Sequence, residues 1–413
     1  MVEATIASRQ TIDVLPVNTG GNKFRDAYLE FNIKGVNGHF LDMSSLALEL
    51  SLAVTGEDGA SAIGDTENVT ISNGLSQTLF KSIVVYFNET VVETNSLFSY
   101  WSYIKLLTTI SGCEAERYRK LAHFFKGNDP SRFSNDYFAA MTEEREQQMT
   151  EMKTMGVHTC FKLLADVTTI SEYVLDNVDV RIRLELNPDK WIIHSERDNA
   201  NFKYHIKMAR LWIDRIMPYP AGLTAINKAL IQNNTPITYT FNKTLLKTHI
   251  LGTGQRTITM DQPWGTVVPE RLYMIIVDME AMSGGYTQNP LYFENCQLTS
   301  VFITLNSTTL FNIACAFPHN CAKLYYTTLQ ALGFDNAHTL SYDAFVNGGT
   351  ILAFNLQPET IKDAMPLEVS GNLRISLEFK MPVVGNKVIL LYGGTTGILK
   401  INAERRIVCD TRA

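Results

Sequence analysis

Several features are missing from this chain, and each absence removes a class of function. No stretch of eighteen consecutive apolar residues occurs, so no helical membrane span is expected. No run of lysine or arginine is longer than two, and the net charge is −6, which leaves no basic tail or stripe for coating nucleic acid. The start, MVEATIASRQTIDVLP, lacks a basic segment followed by an apolar one, so no secretory route is expected. No Cys-x2-Cys pair exists. Cys113, Cys160, Cys296, Cys315, Cys321 and Cys409 are scattered, which fits reduced thiols and not a disulfide frame. No Gly-x-Ser-x-Gly nucleophile elbow is present.

What is present is a unit written twice. The chain has 413 residues, 45% of them hydrophobic, enough for two domains with a core each. Leu79 to Leu107 matches Leu298 to Leu332. With Ser82 laid on Ser300, both read Ser-apolar-apolar-apolar-x-apolar-Asn-x-Thr, and Asn88 falls on Asn306, an offset of 306 − 88 = 218. Each segment reads as a strand of branched and aromatic residues ending at an Asn turn. Each then passes into an aromatic-rich helix, Tyr100 to Leu107 and Leu324 to Leu332. A second match sets Val180 to Leu186 on Leu373 to Phe379, with Arg181 on Arg374 and Glu185 on Glu378. Two matches in the same order at so long a period imply two similar domains, not a solenoid.

Taken in order, residues 1 to 26 read as an extended N-terminal arm. Tyr28 to Ile33 and Leu46 to Val54 alternate as strands with one wet face. Cys113 to Phe125 reads as an amphipathic helix, and Ser134 caps a further one ending at Gly156. The charged middle of that second helix is either a solvated face or a contact made when copies pack together. Val157 to Val167 and Val178 to Asn187 return to strand character. Ser195 to Asn201 is the clearest linker, so the boundary is set at 198/199. The second unit opens on a strand, Phe202 to Met217, followed by a helix, Leu223 to Gln232. Ile237 to Ile250, Arg256 to Met260 and Arg271 to Met279 are further strands, the last covered on both faces. Thr350 to Leu356, Leu373 to Met381 and Lys387 to Tyr392 complete the set. Many short strands with few helices mean an all-β protein, and the strand number per unit suits a jelly roll.

The chemistry-bearing motifs fail one after another. Gly252-Thr-Gly254 is followed by Gln255-Arg256, not Lys-Ser/Thr, so it is a turn and not a phosphate loop; Gly393 to Gly397 fails likewise. Cys315, His319 and Cys321 form the one local cluster of metal-type ligands, with His338 as a distant fourth, but their spacing is not that of a zinc site. The histidines never come as His-x-His, against a cupin-type metal centre. Tyr100, Trp101, Tyr103, Tyr325 and Tyr326 could stack on sugars, but they lack interleaved cations and read better as helix-to-sheet packing. No cofactor, metal or catalytic residue is expected, and the chain reads as a structural protein, not an enzyme.

The run from Val268 to Ser307 then carries a resemblance. Pro269 and Arg271, an apolar strand ending at Asp278, and Gly284 or Gly285 with Tyr286, Asn289, Pro290 and Phe293 resemble the major capsid proteins of Polinton (Maverick) elements, adintoviruses and virophages. Asn177 to Leu184, Met208 to Ala229, Gly348 to Pro358, Gly371 to Phe379 and Arg406 to Asp410 fit the same pattern in order, as do Leu41 to Ser45 and the first repeat copy. The resemblance implies a double jelly roll: two tandem eight-stranded antiparallel β-sandwiches with a few inserted helices. Its units are an arm (1–26), a first jelly roll (27–198) and a second (199–413). It further implies a non-catalytic capsid protein whose homotrimers form pseudo-hexameric capsomers that tile an icosahedral virion shell. The implied partners are the chain itself and a penton or minor capsid protein of the same element, with synthesis in the host cytoplasm or nucleus. The arm is not basic, so it fits a neighbouring subunit better than a genome. The expected subunit contacts are Ile6, Ile12, Val14 and Leu15 on the arm and Glu143, Arg145 and Glu146 on the polar helix. The competing reading is a glycan-binding, lectin-like module using the Tyr/Trp clusters.

Overall fold

The structure is a computed structural model and describes residues 6–17, 28–64, 67–109, 121–124, 149–153, 155–233, 235–333, 340–357 and 370–409. Ten strands come first: β1 (Ile6–Val14), β2 (Tyr28–Ile33), β3 (Phe40–Thr55), β4 (Val69–Ile71), β5 (Phe80–Phe87), β6 (Thr90–Asn95), β7 (Val157–Lys162), β8 (Val180–Leu186), β9 (Ile193–Ser195) and β10 (Lys203–Pro218). Helix α1 (Phe98–Thr108) lies between β6 and β7, and helix α2 (Pro220–Asn233) follows β10. The strands build two antiparallel four-stranded sheets, ordered β1-β10-β3-β7 and β2-β8-β5-β6, while β4 pairs with β9. Alternation explains the layering. Leu46, Leu48, Leu50 and Leu52 of β3 point inward with Phe31 of β2 and Ile182 of β8, all 2% exposed or less. Each such side chain contributes roughly 1.5–3 kcal/mol by leaving water.

The second half repeats the pattern. It comprises β11 (Ile237–Leu251), β12 (Thr257–Asp261), β13 (Arg271–Asp278), β14 (Leu298–Leu305), β15 (Thr308–Ala314), helix α3 (Ala322–Leu332), β16 (Leu352–Asn355), β17 (Leu373–Phe379), β18 (Lys387–Ile401) and β19 (Ile407–Cys409). Its sheets run β11-β18-β13-β16, with β19 on β18, and β12-β17-β14-β15. Strand for strand this is the order of the first half. Each half is a jelly roll of two facing sheets, and the fold is a double jelly roll.

The repeat seen in the sequence falls on equivalent strands. β5 matches β14 and β8 matches β17, and in both rolls these two strands are neighbours. The polar residues of the repeat hold them together. Ser82 Oγ donates to Glu185 Oε2 at 2.9 Å, and Ser300 Oγ donates to Glu378 Oε2 at 3.0 Å. Asn88 and Asn306 turn the chain with φ of 50° and 49°. Their Oδ1 atoms accept from Asp179 N at 2.9 Å and Asn372 N at 2.8 Å, closing both turns alike. Asn tolerates this left-handed backbone better than branched residues do.

Two expectations meet the structure differently. Lys203–Pro218, placed by the linker at the head of the second unit, is hydrogen-bonded to β3 and β1 and supplies the eighth strand of the first roll. Hydrogen bonding between strands far apart in sequence leaves no local mark, so a polar loop reads as a boundary there. Ile6 to Val14, read as part of an extended arm, is an edge strand of the chain's own sheet. Glu143, Arg145 and Glu146 lie outside the described residues, as does His338; the described end of the polar helix, residues 149–153, buries Met149 and Met152. The Gly393–Gly397 stretch lies within β18. A Cβ on Gly397 would stand 2.7 Å from the Phe241 ring, so glycine there makes room for the core.

Candidate functional site

The most elaborate chemistry in the molecule lies where the two rolls meet. Helix α1 leaves the first roll and lodges against the β11-β18-β13-β16 sheet of the second. It carries no charge in its first turn and is buried on nearly every side, with Tyr100, Trp101 and Tyr103 at 1%, 6% and 2% exposure. Trp101 stacks on Tyr392 at 5.0 Å and 17° and meets Tyr273 edge-on at 5.1 Å. The Tyr392 hydroxyl donates back to the Leu97 carbonyl at 3.1 Å. Tyr100 packs edge-on against Trp191 at 5.9 Å, and Tyr103 against Phe293 at 6.1 Å. These rings are therefore helix-to-sheet packing, and of the three only Trp101, at 6% exposure, borders the cleft between the rolls.

Beside the aromatic wedge is a polar latch. Asp166 of the first roll is buried; its Oδ1 accepts from Lys105 Nζ at 2.7 Å and from Thr244 Oγ1 at 2.9 Å. Its Oδ2 accepts from the Thr244 backbone N–H at 2.7 Å, so one carboxylate ties a helix of one roll to a strand of the other. Glu93 accepts from the N–H groups of Asp166 and Val167 at 2.9 and 3.0 Å. Burial, and then the neighbouring Asp166 charge, push its carboxyl up to about 8 against the pull of Lys105. Two acids share one cation here, and the neutral form of Glu93 relieves the imbalance. Further along the seam, Asn242 N donates to Thr169 Oγ1 at 2.8 Å, and Arg405 pairs with buried Asp176. The seam opens into a cleft of about 1140 Å³ lined by Lys105, Lys162, Asp166, Thr244, Arg271 and Tyr273 among others.

Elsewhere Lys387 of β18 sits between Asp278 Oδ2 at 2.7 Å and Glu294 Oε1 at 2.6 Å. Burial works against its charge, but the two acids outweigh it and hold the ammonium above its ordinary range. Among the described residues no group of three His, Cys, Asp or Glu could hold a metal ion. Cys315 and Cys321 are buried free thiols, and burial pushes Cys315 up to about 12. His319 is exposed, so the cluster does not converge.

The expected contact residues divide. Ile12 and Val14 pack against the chain's own core, whereas Ile6 and Leu15 are 43% and 60% exposed. The latch residues Glu93, Lys105, Asp166 and Thr244 were not picked out from the sequence. An acid on an alternating strand reads as solvated, whereas Glu93 is buried against the Asp166–Val167 backbone, 73 and 74 residues away.

No protein-family model matches the chain, and no curated protein matches its sequence. Solved structures do match by fold. A chain of the Sputnik virophage structure determined by cryo-EM superposes with a TM-score of 0.64 at 11% identity, covering 99% of this chain and 89% of that one. The mavirus major capsid protein gives 0.56 at 11% identity over 99% of this chain and 91% of that one. The Faustovirus major capsid protein gives 0.56 at 9% identity over 95% and 90%.

Proposed function

We propose that the chain is a major capsid protein. The observation that carries this reading is the pairing of two complete jelly rolls in one rigidly latched chain, with fold likeness to the mavirus capsid protein along 99% of its length. On this reading three copies form a homotrimeric, pseudo-hexameric capsomer, and capsomers tile an icosahedral shell. The chain resides in the virion after synthesis in the host cell, and a penton or minor capsid protein fills the remaining vertices. The motifs around Pro269, Arg271, Tyr286 and Pro290 support a source among Polinton elements, adintoviruses or virophages. Ile6 of β1 and Leu15 just beyond it are offered to a neighbouring subunit; Ile12 and Val14 serve the chain's own core. The site chemistry favours structure over catalysis, because the buried acids and cations at the seam are spent on one another. The glycan reading is not favoured: Tyr100, Trp101 and Tyr103 are buried between the rolls, which leaves Tyr326 as the exposed ring of those clusters.

The test is native mass by light scattering together with electron micrographs of the same fraction. Trimers with a hexagonal outline, or closed shells, are the expected result. A protein that stays monomeric under every assembly condition would remove the capsid reading.

A further inference from the structure

The two rolls are alike in fold but not in what covers them. The first roll presses β6, α1 and the segment after β7 against the outer face and edge of the second roll's β11-β18-β13-β16 sheet. Val92 of β6 is 5% exposed there, with Cys409 Sγ lying 3.9 Å from its carbonyl oxygen. The offset of 218 that relates Asn88 to Asn306 carries Val92 to Leu310 of β15. That the offset holds this far is shown by the register, which is broken between Val85 and Tyr86 and again between Ile303 and Thr304. Yet Leu310 is 36% exposed, its neighbours Thr308 and Thr309 are exposed, and Tyr326 of α3 is 48% exposed. The second roll thus presents the same projecting surface as the first, without a sheet beneath it.

The complementary sheet face also exists uncovered. On β1-β10-β3-β7, Ala47, Glu49 and Ser51 alternate with buried Leu48 and Leu50, so they point away from the core, as does Trp212 between buried Leu211 and Ile213. Part of its polar set is paired: Trp212 Nε1 donates to Glu49 Oε2 at 2.9 Å, Glu49 meets His158 at 3.1 Å, and Arg210 lies 3.9 Å from Asp13. At its end, Ser44 and Lys162 line the cleft between the rolls, so the face runs continuously into the interface that the chain already makes with itself.

We infer that the β15–α3 surface, centred on Leu310 and Tyr326, docks on the outer face of the β1-β10-β3-β7 sheet of a second copy of this chain. The contact repeats between chains what α1 and β6 do within one. It is heterologous, with different patches on the two partners, so it closes into a ring when the rotation permits, and three chains supply six rolls. The inference rests on the self-assembly reading above and assigns its surfaces.

The experiment uses the full chain in three forms: unchanged, Leu310→Asp and Ala47→Arg, one change on each side of the contact. Melting temperatures are compared first, then mass by light scattering across a concentration series. The unchanged chain is expected as a trimer, and each variant as a folded monomer with an apparent dissociation constant raised at least about tenfold. An equimolar mixture of the two variants restores one intact contact and is expected to give a dimer that neither forms alone. Trimers that persist in both variants overturn the assigned surfaces while leaving self-assembly intact. An unchanged chain that is monomeric throughout overturns the self-assembly reading and this inference with it. Because each variant alone reports on one face, misfolding of one leaves the other decisive.

Discussion

Replacing Trp101 with alanine should cost far more than the loss of one helix side chain suggests, because the ring belongs to both rolls. The indole is 6% exposed, lies flat on Tyr392 at 5.0 Å and meets the edge of Tyr273 at 5.1 Å. Removing a buried Trp costs roughly 3–5 kcal/mol through lost transfer energy and the cavity left behind. Each aromatic pair adds about 0.5–1.5 kcal/mol beyond area. The Lys105 ammonium, 5.1 Å above the ring, also loses its cover and gains water, which returns part of its desolvation cost. A net loss of about 4 kcal/mol follows. The loss falls on the seam and not within either core, so urea unfolding should change shape as well as midpoint. The single transition expected of coupled rolls should broaden or separate into two, followed by far-UV circular dichroism at fixed protein concentration. Trp212→Ala is the control. Its ring is half-buried on the outer face, and the monomer should lose about 1 kcal/mol with no change of shape. If Trp101→Ala costs no more than Trp212→Ala and the transition stays single, the two rolls are not joined through α1.

Three further outcomes are expected. Glu93 is raised in the fold, so its contribution is present in full below its unfolded value and is lost as pH rises through about 8; Glu93→Gln should flatten the fall in thermal stability between pH 5 and 9, and an unaltered profile would remove the shared-cation account of the latch. Lys387→Met leaves Asp278 and Glu294 facing each other without their cation, and a loss of about 3–5 kcal/mol is expected at pH 7, shrinking in acid as the carboxylates protonate. Asn88→Ala and Asn306→Ala each remove a turn-closing acceptor at positive φ and should cost about 1–2 kcal/mol, with the glycine variants recovering the backbone part; unequal recovery at the two positions would contradict the equivalence of the turns.

Much of the architecture was legible because it was written twice. Ser82, Asn88 and Glu185 reappear as Ser300, Asn306 and Glu378, and those six residues make the same hydrogen bonds in both rolls. Alternation gave the strands, since one face of each is dry. What stayed hidden was pairing over long separations. β10 follows a polar linker and looks like a beginning, yet its partners lie in the first roll. Glu93 looks like a wet residue of an edge hairpin, and it is dry against the backbone of Asp166 and Val167, a segment 73 and 74 residues further along. The seam could be read only in part: its rings were visible as a cluster in α1, but Tyr273 and Tyr392 lie far along the chain and carry no local sign of facing them.

The placement of β10 also bears on how the chain comes off the ribosome. β1 is made well before its hydrogen-bonding partner, which emerges some two hundred positions later, as the Arg9–Asp214 ion pair across 205 residues records. At about 5–20 residues per second β1 waits on the order of tens of seconds with an open edge. The hydrophobic α1 waits longer still, until β18 has been made. A nascent or truncated chain that ends before β18 therefore leaves the Trp101 ring without the Tyr392 face that covers it, which marks it for aggregation or chaperone capture before any neighbour is met.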